Sequence, residues 1–245
     1  MKKMTRREFL RYSGLTGLLI LSGKGVSLVG LADTLEAGET QVNPSNAKVR
    51  YGMFIDLEKC IGCNACTMAC IKENQLPEGI TPNRVLKMKI GEGDNVREYY
   101  QPILCMHCEN PVCANVCPVK ATYKREDGIV VQDNTKCIGC KYCMQACPYR
   151  VRMFNKKPPF SYKKKHPGGV HVGGTVIKCT FCKHRIDAGN ISTACCDWCP
   201  TGARVFGDLN DPESKISKLI RQRNGVQLQK EKLTEPQVYY GLIGR

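Results

Sequence analysis

The 245-residue chain is short of aromatic residues, at 7%, and has one tryptophan. Long apolar runs are missing too: neither end offers the ~20 unbroken apolar residues of a membrane-spanning helix. There is no glycine-rich phosphate loop, no flavin motif and no nucleophile–base pair, so nothing in the sequence supplies independent catalysis. The C-x-x-C-H signature of attached haem is absent as well, because Glu109 follows Cys108 and Lys183 follows Cys182. What the chain has in excess is cysteine, 17 in all. At this length such a content means disulfide staples, metal ions or metal clusters.

Sixteen of the cysteines fall into four sets. Set one is Cys60, Cys63, Cys66 and Cys70, in CIGCNACTMAC. Set two is Cys105, Cys108, Cys113 and Cys117, in CMHCENPVCANVCP. Set three is Cys137, Cys140, Cys143 and Cys147, in CIGCKYCMQACP, and set four is Cys179, Cys182, Cys195 and Cys199. Sets one and three follow C-x2-C-x2-C-x3-C, the spacing of bacterial two-cluster ferredoxins. Two C-x2-C steps bend the chain around a cuboid so that three thiolates reach three irons, while the fourth cysteine turns to the neighbouring cluster. The glycine of CIGC permits the tight turn and close backbone approach. Sets two and four lengthen the gap before their third cysteine but keep C-x3-C-P at the end. An internal repeat accompanies this: DLEKCIGCNAC at 56–66 returns as DNTKCIGCKYC at 133–143, and CPVKA at 117–121 as CPTGA at 199–203. The chain reads as a duplicated two-cluster unit.

The alternatives fare worse. Zinc prefers two separated C-x2-C pairs with no third cysteine crowded between them. Disulfides between Cys i and i+3, repeated in every set, would be strained. Iron–sulfur clusters are the reading, with a zinc-binding structural protein as a distant alternative. The odd cysteine is Cys196; the C-x3-C spacing selects Cys195, leaving Cys196 as a small filler or a spare redox-active thiol. His107 and His184 lie among the cysteines and read as supporting groups rather than iron ligands, and Trp198 as packing beside a cluster.

The net charge of +15 taken alone suggests nucleic acid or an anionic membrane. Residues 1–32 carry a net +5 of it. Sixteen thiolates on four oxidised cores would remove about eight more, leaving roughly +2. No pattern of aromatic and basic residues supports nucleic-acid binding either.

Thr5-Arg6-Arg7-Glu8-Phe9-Leu10 resembles a twin-arginine export signal. Gly14, Gly17, Gly23, Gly25, Gly30 and Lys24 dilute the apolar run that follows, and Gly30 and Ala32 suit cleavage after Ala32; an uncleaved anchor stays open. Such a signal implies export of an already folded protein, which weakens the usual inference from cysteine-rich exported chains to disulfides. It places the mature protein in the periplasm or on the outer face of the cytoplasmic membrane.

Over residues 48–225 the motifs resemble the four-cluster, ferredoxin-like electron-transfer (beta) subunit of molybdopterin oxidoreductases, which serves dimethyl sulfoxide, polysulfide, tetrathionate and formate-dependent nitrite reductases of anaerobic respiration. The resemblance implies four [4Fe-4S] clusters, and it implies how the sets share them: Cys60, Cys63, Cys66 with Cys199; Cys179, Cys182, Cys195 with Cys70; Cys105, Cys108, Cys113 with Cys147; Cys137, Cys140, Cys143 with Cys117. It further implies a molybdopterin catalytic subunit on one side and a quinone-linked membrane subunit on the other, with no catalysis by this chain alone. A molybdenum-free membrane redox complex, as in sulfate reducers, is the alternative. Unlike formate dehydrogenase relatives, the chain ends in a polar segment too short to span a membrane.

The expected fold is α+β: two ferredoxin-like modules, loop-rich, with short strands and short helices. Residues 1–32 are the signal and 33–48 a linker. Segments 49–90 and 175–225 form the module of sets one and four, and 91–155 that of sets two and three. Residues 156–174 are a basic Pro/Gly-rich insert, read as a solvated loop or a docking surface, and 226–245 a C-terminal tail. Strands are expected at 49–56 and 128–133, short helices after Cys66 and Cys143, and a hairpin around GEGDN. A helix begins at DPESKISKLI with Asp211 as cap and ends at Gly225.

Overall fold

The computed structural model describes residues 48–91, 95–159 and 162–243, all within one compact unit. The signal and nearly all of the linker lie outside the described residues. Among the described residues no helix is long and apolar enough to cross a membrane.

Strand β1 (Tyr51–Asp56) is buried along its whole length. It lies inside a four-stranded sheet of order β10-β1-β12-β11, with β10 Arg204–Asp208, β11 Val226–Gln227 and β12 Val238–Gly241. β1 runs antiparallel to β10, Tyr51 opposite Asp208 and Ile55 opposite Arg204, and parallel to β12, Met53 opposite Val238. A strand covered on both faces needs apolar side chains on both. Met53 and Ile55 enter the main core with Leu104, Met106, Ile129 and Phe181. Phe54 lies against Gly241 and Gly225, where a Cβ would stand 2.7 Å from the Phe54 ring at Gly241.

The segment expected to be a C-terminal tail is therefore part of this sheet: Val238 and Tyr240 are fully buried, and the Tyr240 hydroxyl donates to the Pro102 carbonyl at 2.8 Å. The pairing partner of β12 is remote in sequence, so its local pattern gave no sign of it. The helix after β10 spans Lys215–Gln222, and its cap is Ser214, whose Oγ accepts the Ser217 N–H at 3.2 Å. Asp211 instead accepts the Glu213 N–H in the preceding turn. Ile216 is fully buried and meets the sheet at Gly207.

β2 (Arg84–Ile90) and β3 (Arg97–Ile103) form the expected hairpin, in register Arg84 to Ile103. The module boundary drawn at residue 90 falls inside it. β4 (Thr122–Lys124) pairs with β5 (Val130–Gln132), and β6 (Met153–Phe154) with β9 (Val176–Ile177). The basic insert is a hairpin, β7 (Lys163–His166) and β8 (Gly169–Val172), rather than a free loop. His171 and Val172 are buried, and His171 Nε2 is 2.8 Å from the Asn74 carbonyl.

Candidate iron–sulfur centres

Each cysteine set opens outside regular structure and carries its third cysteine on a helix. Helix α1 (Ala65–Glu73) starts one residue before Cys66, and α3 (Tyr142–Gln145) one before Cys143. Helices α2 (Val112–Asn115) and α5 (Ala194–Asp197) carry Cys113 and Cys195; α4 (Lys183–Asp187) follows Cys182. The CIGC turns are left-handed at Gly62 (φ 73) and Gly139 (φ 71). A Cβ at Gly62 would stand 2.5 Å from the Tyr100 ring, and one at Gly139 2.1 Å from the Gly174 carbonyl oxygen. Both turns thus need glycine for conformation and for space.

These turns gather the thiols into four sites. Cys60, Cys63, Cys66 and Cys199 wall one cavity, site A. Cys70, Cys179, Cys182 and Cys195 wall a second, site B, which reaches on to the Gly168–His171 turn of the insert. Cys105, Cys108, Cys113 and Cys147 wall a third, site C. At site D, Cys137, Cys143 and Cys117 pack together with Ala121 and Val176, while Cys140 is exposed at its turn. Cys117 Sγ accepts the Ala121 N–H at 3.2 Å.

The sites form a row. Cys66 of A and Cys70 of B lie one turn apart on α1, about 6 Å of helical rise. Cys195 of B and Cys199 of A repeat that offset through α5. Cys113 and Cys117, and Cys143 and Cys147, link C and D in the same way. Between B and C, Cys105 is close enough for its charge to act on Cys179. His107, between Cys105 and Cys108, stacks on Phe181, between Cys179 and Cys182, at 3.7 Å. His107 Nδ1 accepts the Val130 N–H at 3.0 Å, and burial holds its imidazole well below the usual range, hence neutral.

All seventeen thiols are free of disulfides. Burial first, then neighbouring thiols, push Cys70 and Cys179 up, Cys108 up to about 12 and Cys182 up to about 11. Four buried thiols around one cavity resist ionising for want of positive charge, and a cationic iron–sulfur core supplies it. Among the described residues no three His, Cys, Asp or Glu side chains converge as a single metal ion requires; the thiols stand around cavities instead. Cys195 is the exception, brought down by the neighbouring Cys196 thiol and by the Arg204 cation. Cys196 is itself held by Thr193 Oγ1 at 3.1 Å and lies off the cavity walls.

Supporting groups tie the sites together. Glu73, at the end of α1, takes Arg185 Nε and Nη2 at 2.8 Å each and His184 Nε2 at 2.7 Å, and Arg185 reaches on to Asp197 of α5. Arg185 and then His184 hold the Glu73 carboxyl at about 2. Asn83 Nδ2 donates to the Cys66 carbonyl at 2.8 Å. Trp198, expected to pack beside a cluster, is 46% exposed, with the Lys72 ammonium over its ring. Sequence reasoning named neither Asn83 nor the two buried arginines, Arg152 and Arg204, that line sites C and A.

Two profiles described as 4Fe-4S dicluster domains match the chain, at residues 59–121 and 96–209. A tetrathionate reductase subunit of Salmonella typhimurium is 41% identical over 96% of this chain and 87% of its own length. A selenate reductase subunit of Mesobacillus selenatarsenatis is 42% identical over 79% and 72%. The Hdr-like menaquinol oxidoreductase iron–sulfur subunit 1 of Archaeoglobus fulgidus is 38% identical over 98% and 99%. With its thiols gathered in four groups and relatives at 38–42% identity aligned over 72–99% of their own length, the chain belongs to the 4Fe-4S dicluster family of iron–sulfur electron-transfer subunits of oxidoreductase complexes.

Proposed function

We propose that this chain carries four [4Fe-4S] clusters in the row A–B–C–D, ligated by the sixteen cysteines as grouped above, with Cys140 completing D. It passes electrons between a molybdopterin catalytic subunit and a quinone-linked membrane subunit. The observation that carries the reading is the row itself, in which cysteines of A and B, and of C and D, follow one another along a short helix or the turn after it, and the His107–Phe181 stack joins B to C. When bound, each cluster supplies a one-electron site whose potential depends on burial, hydrogen bonds to sulfur and local charge. The chain's own residues fix the spacing through α1 and α5, exclude water with Phe181, Met106 and Val151, and bridge the halves with the neutral His107–Phe181 stack. The names of the tetrathionate and selenate reductase relatives support a reductase setting.

A second reading, a molybdenum-free membrane redox complex, is favoured by the near-complete overlap with the menaquinol oxidoreductase subunit. Isolation of the native complex without oxygen separates the two. About sixteen irons and sixteen sulfides per chain are expected, together with molybdenum; full iron without molybdenum selects the second reading, and a chain with zinc and no sulfide refutes both. Export by the twin-arginine route is supported by Arg6-Arg7 and the residues around them. Replacing both arginines with lysine is expected to hold the protein in the cytoplasmic fraction; unchanged export refutes that route.

A further inference from the structure

Two arginines stand at the same offset from the last cysteine of sets three and four. CPYRVR ends on Arg152 and CPTGAR on Arg204, each five residues after the last cysteine of its set. The same position after Cys70 is Gln75 and after Cys117 is Thr122, so each half of the molecule holds one such arginine. Both are buried, at 4% exposure.

Arg204 Nη2 donates to Asn83 Oδ1 at 2.8 Å, and Nη1 lies 3.7 Å from Cys195 Sγ of site B. The same side chain lines the cavity of site A. Arg152 Nη1 donates to Gln132 Oε1 at 2.9 Å, and its side chain lines the cavity of site C. Its Nη2 is buried with no partner in the polypeptide. Its charge reaches Cys113 of C and Cys143 of D. The leading electrostatic neighbours are thiols in both cases: Cys195, Cys66 and Cys196 for Arg204, and Cys113, Cys105 and Cys143 for Arg152.

A buried guanidinium without a carboxylate is costly unless an anion faces it. Four thiolates on a dicationic core carry a net charge of about −2, and about −3 once an electron is added. A fixed cation between two such centres stabilises the reduced form of each more than the oxidised form. We propose that Arg204 and Arg152 are potential-setting positioning residues, each a cation shared by the two clusters of its half, Arg204 for A and B and Arg152 for C and D. The inference rests on the cluster assignment proposed above. Each centre takes up one electron, no bond or proton moves, and the arginine stays charged throughout.

The test is a dithionite titration of the full chain, purified without oxygen and followed by electron paramagnetic resonance. The parent chain is expected to show four one-electron steps. In Arg204→Gln two midpoints fall, each by about a tenfold drop in the reduced-to-oxidised ratio at fixed potential, which is about 59 mV for one electron. In Arg152→Gln the other two fall. Arg204→Lys and Arg152→Lys, which keep the charge, return the midpoints toward the parent values. Iron content distinguishes the failures: a parent chain without iron sinks the proposed function, whereas loaded glutamine variants with unmoved midpoints overturn this inference alone. A uniform shift of all four midpoints overturns it too. If the glutamine variants do not load, the lysine variants decide: loading with parental midpoints sustains the role of charge, and loss of iron there as well, as a packing role predicts, overturns it.

Discussion

Sites A and B are held by a four-stranded sheet, a nine-residue helix and an ionic lattice running from Glu73 through Arg185 to Asp197. Sites C and D carry the same kind of cysteine set on far less: the three-residue strands β4 and β5, and four-residue helices α2 and α3. Helices that short do not stand alone in water. The comparison teaches that one duplicated ligand pattern can rest on two scaffolds. One is preformed by the polypeptide, and the other depends more on what the cysteines bind.

The sharpest way to break this comparison is to remove, from each half, the last cysteine of one set. Cys147→Ala is expected to lose about eight irons, because without site C nothing holds D, whereas Cys199→Ala loses only about four. Iron analysis of the two purified variants reads this directly, and equal losses would refute the asymmetry. A smaller effect separates the CIGC turns. Gly139→Ala meets the Gly174 backbone oxygen, which cannot move aside, while Gly62→Ala meets the Tyr100 ring, which can. Both forfeit the left-handed conformation, at about 1 kcal/mol, so Gly139→Ala should lose its cluster absorbance at the lower temperature of the two. Narrower in reach, Glu73→Gln removes the carboxylate that Arg185 and His184 grip. A loss of about 2 kcal/mol is expected, read as faster hydrogen exchange in α1 and α4 with no change in residues 105–151. Exchange that rises equally in both halves would mean the lattice is not confined to A and B.

Much of this was legible in the sequence. The cysteine spacing, the CIGC glycines, the pairing of β2 with β3, β1 and β5 all follow from local pattern. What escaped was long-range. β12 pairs with a strand more than 180 positions away, and VYYG alone does not announce a partner. Ser214 displaced Asp211 as helix cap because Asp211 was already engaged one turn earlier. The insert looked solvated from its lysines, yet Lys163, Lys164 and Lys165 form the exposed edge of a hairpin whose opposite strand buries His171 and Val172. Arg152 and Arg204 escape local pattern because arginine ordinarily lies at the surface; the repeated C-P-x3-R is the available sign.

The placing of β1 between β10 and β12 bears on how the protein is made. Synthesis delivers β1 first and β12 last, so one edge of the most buried strand stays unpaired until residue 241 has left the ribosome. A chain stopped short of Val238 would present that bare apolar edge to any other strand in its surroundings.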